Sequence, residues 1–175
     1  PRSPFTAVGL VLGVVSFFNI LYGTLMGISK FEVKDIEFHH PNLPKAFDGY
    51  RIVQLSDIHI GSWIDNEKPI NELVELVNAQ KPDLIVFTGD LVNQRSCELE
   101  GFQDILAQLH AKDGVYSILG NHDYGSYYHW KNLKEQVNNI DNLVRMQKAM
   151  GWKLLNNEYD ILHHEGDSIA LIGVE

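Results

Sequence analysis

Val53-Gln54-Leu55-Ser56-Asp57-Ile58-His59-Ile60-Gly61 is the stretch on which the reading of this 175-residue chain turns. Residues 52–55 read as a short buried strand, and a carboxylate and an imidazole follow it two residues apart. Side chains at i and i+2 of an extended chain point the same way. Asp57 and His59 can therefore reach one small ion from a strand end. Carboxylate oxygen and imidazole nitrogen are both ligands of divalent transition metals. Alone, Asp-x-His is a common tripeptide, equally readable as a turn aspartate beside a surface histidine. What recurs downstream decides.

A helix follows, with Pro69 suited to its first turn and Ile70, Leu73, Val74 and Val77 spaced along one buried face. Lys81-Pro82-Asp83 ends it. Residues 84–87 (LIVF) form an uninterrupted apolar run, as in a parallel strand covered on both faces. At its end stands Thr88-Gly89-Asp90. A second helix is expected, with Leu99, Phe102, Leu106 and Leu109 on one side. After the turn Lys112-Asp113-Gly114 a third strand, 115–119, runs into Gly120-Asn121-His122-Asp123. Strand, polar loop and helix alternate repeatedly. That order argues for an α/β sheet whose loops converge at the carboxyl ends of its strands. The converging loops offer Asp57 and His59, then Asp90, then Asn121 and His122, each set accompanied by a glycine: Gly61, Gly89 and Gly120.

Charge is distributed unevenly. Residues 3–29 carry none, so every charged residue except Arg2 lies from Lys30 onward, 13 basic against 23 acidic, a formal charge of −10. An acidic domain of this kind excludes nucleic-acid or anionic-lipid binding through a basic face. The single cysteine, Cys97, excludes an intrachain disulfide. Residues 5–28 are long and apolar enough to cross a bilayer as a helix, which takes about 20 residues. The flank Ser29-Lys30-Phe31-Glu32 is a poor cleavage site, which favours a retained span over a signal peptide. Gly9, Gly13, Ser16, Gly23 and Gly27 fall on one helical face and would admit a second helix; equally, glycine is simply frequent in membrane helices. The expected division is a transmembrane anchor over 1–30 and a catalytic domain over 31–175. Lys30, Lys34 and Lys45 lean toward a cytoplasmic placement of that domain.

The linker is expected to be almost absent, with a strand over 31–38 built on Phe31, Val33, Ile36 and Phe38, broken by Pro41-Asn42-Leu43-Pro44. Residues 50–55 form the central strand. Beyond the third loop, 131–150 reads as a helix with Gly151 placed to end it. A short strand over 152–155 is followed by a hairpin, 159–164 with 168–174, about Glu165-Gly166-Asp167. His163 and His164 are adjacent and so face opposite sides of a strand. They read as hairpin residues, and His39, His40, His110 and His129 likewise read as non-ligands. The first residue is Pro1 and the last, Glu175, directly follows an apolar strand, so the chain reads as a fragment with sequence missing at both ends.

The set Asp57-x-His59, Gly89-Asp90 and Gly120-Asn121-His122-Asp123 resembles the first three motifs of the calcineurin-like metallophosphoesterase superfamily. The surrounding phrases FDGYRIVQLSDIHIG, KPDLIVFTGDLVN and GVYSILGNHDYG resemble its membrane-associated bacterial branch. The resemblance runs from about Phe31 to Glu175. It implies a four-layer α/β/β/α sandwich, amino-terminal part only, around two divalent metal ions, with Mn, Fe or Zn favoured by mixed N/O ligands. By resemblance Asp57 and His59 hold the first ion, Asp90 bridges both, Asn121 holds the second, and His122 stands outside the coordination shell near the leaving group. Such a pair of ions activates water and offsets phosphoryl charge.

Two departures from the family pattern stand out. Asn93 occupies a position where several members place an aspartate that orients the catalytic histidine; an amide oxygen there fixes a tautomer without stabilising imidazolium as a carboxylate does. The family's later histidine motifs are absent and are expected beyond Glu175, so residues 1–175 alone are expected to be inactive and only weakly metal-binding. The expected activity is hydrolysis of phosphate-ester or pyrophosphate bonds at a membrane, with lipid-linked phosphates as one substrate class. Soluble phosphomonoesters or phosphodiesters, and a catalytically inactive membrane interaction module, remain open alternatives.

Overall fold

In the computed structural model, which describes residues 4–27 and 30–174, contacts divide the chain into two units, Pro1–Phe38 and His39–Glu175. In the first, helix α1 (Pro4–Tyr22) continues through a wider π-helical turn, Gly23–Gly27. Ile28, the end of the expected span, lies outside the described residues. Phe5–Tyr22 is long and apolar enough to cross a membrane, and none of it is buried within the protein. A helix apolar on all sides fits a lipid surround. Two of its polar side chains bond back to their own backbone: Asn19 Nδ2 donates to the Val15 carbonyl at 3.0 Å and Thr24 Oγ1 to that of Ile20 at 2.9 Å. Such self-satisfaction is what an apolar medium demands. Lys30 donates to the Tyr22 hydroxyl and lies 5.0 Å from its ring centre, an aromatic–basic pairing suited to a membrane interface.

Residues 30–40 contain no helix or strand, contrary to the strand expected over 31–38. A strand needs a neighbour for its backbone groups, and among the described residues the parallel sheet ends at β1 with no further strand beyond it. Val33, Ile36 and Phe38 are exposed. Alternating apolar residues alone did not make a strand here, and the expected near-absence of a linker fails with it.

In the second unit, strands β1 (Ile52–Leu55), β2 (Leu84–Phe87), β3 (Val115–Ser117) and β4 (Lys153–Leu154) form an all-parallel sheet in that order. Ile52 stands opposite Leu84, Ile85 opposite Val115, and Tyr116 opposite Lys153. β1 is therefore an edge strand among the described residues, not the buried central one. Ile52 is 51% exposed, whereas Leu84 and Ile85 of β2 are fully buried. Helix α2 (Lys68–Ala79) starts with proline in its first turn and buries Pro69, Ile70, Leu73, Val74 and Val77, the predicted face. Each such side chain contributes roughly 1.5–3 kcal/mol on leaving water. The expected second helix is instead a 3-10 turn, Ser96–Leu99, and a single turn α3 (Gln103–Leu106). Leu99, Phe102, Leu106 and Leu109 are all buried nonetheless.

Helix α4 (Leu133–Ala149) is capped by Asn132, whose side chain accepts the Glu135 amide at 3.0 Å. It lies on one face of the sheet, where Ser117 Oγ meets Gln147 Oε1 at 2.6 Å. The hairpin of β5 (Glu158–His164) and β6 (Asp167–Gly173) lies on the other. There Leu162 packs with Leu84, Tyr116 and Leu155, flanked by Ile169 and Leu171. The two faces follow from alternation along β3, Tyr116 to the hairpin and Ser117 to the helix. The architecture is mixed α/β, with helix, parallel sheet and second sheet in successive layers.

Candidate metal centre

The loops that leave β1, β2 and β3 are laced together through their backbones before any side chain is considered. Asp57 N donates to Gly89 O at 3.0 Å, His59 N to Asp90 O at 3.1 Å and Ile60 N to Leu91 O at 2.8 Å. To reach these partners the chain turns sharply: Asp57, His59 and Asp90 all adopt left-handed conformations, at φ 54°, 46° and 60°. The second and third loops meet at bare backbone. A Cβ on Gly89 would lie 2.5 Å from Gly120 N, and one on Gly120 would lie 2.2 Å from Asp90 Oδ1. Only glycine permits that approach.

Asp123 anchors the junction. It is fully buried, and its carboxylate accepts four backbone amides: Asp90 at 2.8 Å, Leu91 at 2.8 Å, Val92 at 3.1 Å and Gly120 at 3.0 Å. Burial pushes its pKa above the ordinary carboxylate value; the amide donors oppose this and the nearby charge of Asp90 adds to it. Asp123 was quoted in the third motif but given no role from sequence. The signal was its place in that motif; three of its four partners lie about thirty residues back in the chain.

On this frame the structure brings His59, Asp90 and His122 together, with one donor atom from each within 4.8 Å of the others. His59 Nε2 lies 3.8 Å from Asp57 Oδ1 and 3.8 Å from Asp90 Oδ2. Two bonds of about 2.1 Å to a common ion span at most about 4.2 Å, so His59 is within reach of an ion shared with either carboxylate, and the three ligand atoms that gather are those of His59, Asp90 and His122. The N/O character of the set suits a transition ion. Asp90 is 8% exposed and its Oδ1 also accepts the His122 amide at 2.9 Å, which ties the second loop's carboxylate to the third loop. Ser56 Oγ donates to Asp57 Oδ2.

His122 stands closer to this cluster than an outer position required; its ring meets that of His59 edge-on, centres 4.7 Å apart. Its Nδ1 contacts the backbone carbonyl of Asn93 at 2.7 Å. As a donor to that carbonyl, Nδ1 keeps its proton and Nε2 is left for a ligand. The expectation that the Asn93 amide would orient this ring is corrected: its Nδ2 donates to Ser62 Oγ at 3.0 Å and its Oδ1 has no hydrogen-bond partner among the described residues. The contact with His122 is made by the backbone of the same residue. Asn121 is exposed and donates through Nδ2 to the Tyr127 hydroxyl at 3.0 Å. His164 packs against Phe47 and Tyr50, ring centres 5.6 Å from each, which agrees with its reading as a hairpin residue.

Residues 50–173 match the family model described as calcineurin-like phosphoesterase. A transmembrane protein with metallophosphoesterase domain from Danio rerio is 35% identical over 158 residues, covering 89% of this chain and 33% of that protein. A metallophosphoesterase of Campylobacter jejuni is 32% identical over 149 residues, covering 85% and 36%. The UDP-2,3-diacylglucosamine pyrophosphatase LpxG of Chlamydia trachomatis is 36% identical over 103 residues, covering 57% and 31%. The chain spans about a third of the length of these relatives. The loops that carry Asp57, His59, Asp90, Asn121 and His122 all fall inside the matched region, and the chain belongs to the calcineurin-like phosphoesterase family.

Proposed function

We propose that this protein is a membrane-anchored phosphoesterase that uses two divalent metal ions to hydrolyse phosphate-ester or pyrophosphate bonds of lipid-linked substrates. The observation that carries the proposal is the convergence of His59, Asp90 and His122 at three strand ends, with Asp57 beside them. Asp57 and His59 would hold the first ion, Asp90 would contribute to both, and Asn121 would serve the second through Oδ1. When bound, the ions lower the pKa of water and offset charge on the phosphoryl oxygens. His122, held at Nδ1 by the Asn93 carbonyl, presents Nε2 to the departing oxygen and in its protonated form donates a proton to it. Asn121 contributes a neutral oxygen, which keeps the site from growing too anionic to admit a phosphate.

The lipid-linked class is supported by two things: the apolar helix α1 and the LpxG relative, named a UDP-2,3-diacylglucosamine pyrophosphatase. Gly9, Gly13, Gly23 and Gly27 would admit a partner helix within the membrane. Lys30, Lys34 and Lys45 favour a cytoplasmic catalytic domain.

The test uses the full-length protein in detergent. Elemental analysis should find two Mn, Fe or Zn ions per chain, reduced at both sites in Asp90→Asn and at one in His59→Ala. With Mn supplied, UDP-2,3-diacylglucosamine should be cleaved faster than bis-p-nitrophenyl phosphate. Preference for the soluble diester would remove the lipid-linked class. Protein that stays inert on both substrates with Mn supplied would remove the enzymatic reading.

A further inference from the structure

Tyr127 is a residue that burial does not explain. It is 60% exposed, yet it is engaged on two sides by residues of the candidate centre. Its hydroxyl accepts Asn121 Nδ2 at 3.0 Å, and its ring lies over that of His122, centres 4.7 Å apart and planes at 37°. The segment that presents it is fastened on either side. Trp130 Nε1 donates to the Gly125 carbonyl at 2.7 Å, Gln136 Nε2 of α4 donates to the Tyr124 carbonyl at 2.9 Å, and the Tyr128 ring packs tilted against Trp130, centres 4.6 Å apart. An exposed aromatic side chain is thus brought to the site by a built loop.

We infer that Tyr127 is the positioning residue for the second metal site: by holding the nitrogen end of the Asn121 amide it turns Oδ1 toward the ion, and its ring fixes the plane of His122. This rests on the proposed assignment of Asn121 as a ligand. A side-chain amide has one acceptor end and one donor end. An exposed asparagine turns freely between them, and a donor end facing a cation repels it. Tyr127 removes that ambiguity by accepting from Nδ2. The phenol can accept and donate at once, so its own proton stays available to a phosphoryl oxygen of the substrate. Groups that orient a metal ligand from outside the coordination shell typically change metal affinity or activity by 10–100-fold when removed.

The experiment compares the wild-type full-length protein with Tyr127→Phe and Tyr127→Ala in detergent. Stepwise Mn titration is followed by calorimetry, and turnover is measured on a phosphodiester. Tyr127→Phe removes only the hydroxyl. It should leave the first Mn affinity and the melting temperature unchanged while weakening the second Mn by roughly tenfold. Tyr127→Ala should show the same weakened second site and a further fall in kcat, because His122 loses its ring contact. Two ions in the wild type with an unaltered second affinity in Tyr127→Phe would overturn this inference and leave the proposed function standing. A wild-type protein that takes up one ion or none overturns the dinuclear reading, and this inference with it. Equal weakening of both ions in Tyr127→Phe would also overturn it, as the mark of a merely structural role.

Discussion

The carboxylate of Asp123 accepts the backbone amide of Asp90 at 2.8 Å, so the third loop holds the second by its main chain, 33 residues back in sequence. Three further amides, those of Leu91, Val92 and Gly120, end on the same two oxygens. Asp123→Ala would leave four backbone donors unsatisfied, three of them buried. The expected loss is at least about 3 kcal/mol, since each unmade buried hydrogen bond costs roughly 1–3 kcal/mol. Asp123→Asn keeps one acceptor oxygen and should lose less. Thermal melts of both variants in detergent check the order; equal melting temperatures for Ala and wild type would show that the amides find other partners.

Gly120→Ala tests the close approach of the loops. The added methyl would lie 2.2 Å from Asp90 Oδ1 and 2.5 Å from Asp90 N, and neither can yield without moving the carboxylate. Overpacking of this kind costs about 1–3 kcal/mol. A displacement near 1 Å at a reacting centre costs about 100-fold in rate. Turnover should therefore fall by about 100-fold in protein that still folds. Wild-type kcat in this variant would mean that the loop spacing is not set here.

His122→Ala should reduce turnover most for substrates with poor leaving groups, because those need a proton most. Side-by-side kinetics on p-nitrophenyl and alkyl phosphodiesters supply the measurement. Equal losses on the two would assign His122 to substrate positioning instead of proton donation.

Asp83 links the start of β1 to the turn before β3. Its carboxylate accepts the Arg51 amide at 2.9 Å and Lys112 Nζ at 3.0 Å. Burial raises its pKa, but these donors outweigh it and the net shift is downward. A lowered folded-state value favours the ionised form in the fold. Its contribution is therefore present above the ordinary carboxylate range and is lost as pH falls through the lowered value. Asp83→Asn should lower the melting temperature near pH 7, and the gap to wild type should close as pH falls below the ordinary carboxylate range. A gap independent of pH would mean that shape alone, not charge, matters at this position.

Much of the site was legible because its residues sit where local patterns end. The run 84–87 is β2 residue for residue, and the apolar face of α2 was readable from its spacing and its proline. The ligand-type residues follow directly on strands, so locating the strands located them. What could not be read depends on partners brought from elsewhere. The second helix broke at Glu100-Gly101 because Leu99 and Phe102 can both be buried without being on one helix. Asn93 supplies His122 with its carbonyl, a choice between two groups of one residue that sequence does not resolve. The apolar residues at 31–38 alternated like a strand, but no neighbouring strand among the described residues takes them up.

The left-handed backbone of Asp57, His59 and Asp90 sets two demands on this protein against each other. Non-glycine residues in that region cost about 1–3 kcal/mol each. Glycine would adopt these angles without strain, so replacing any of the three would relax the loop and remove a donor from the cluster in the same step. A screen for thermostable variants that scores folding alone should therefore enrich glycine at positions 57, 59 and 90, and return robust proteins whose candidate cluster is incomplete.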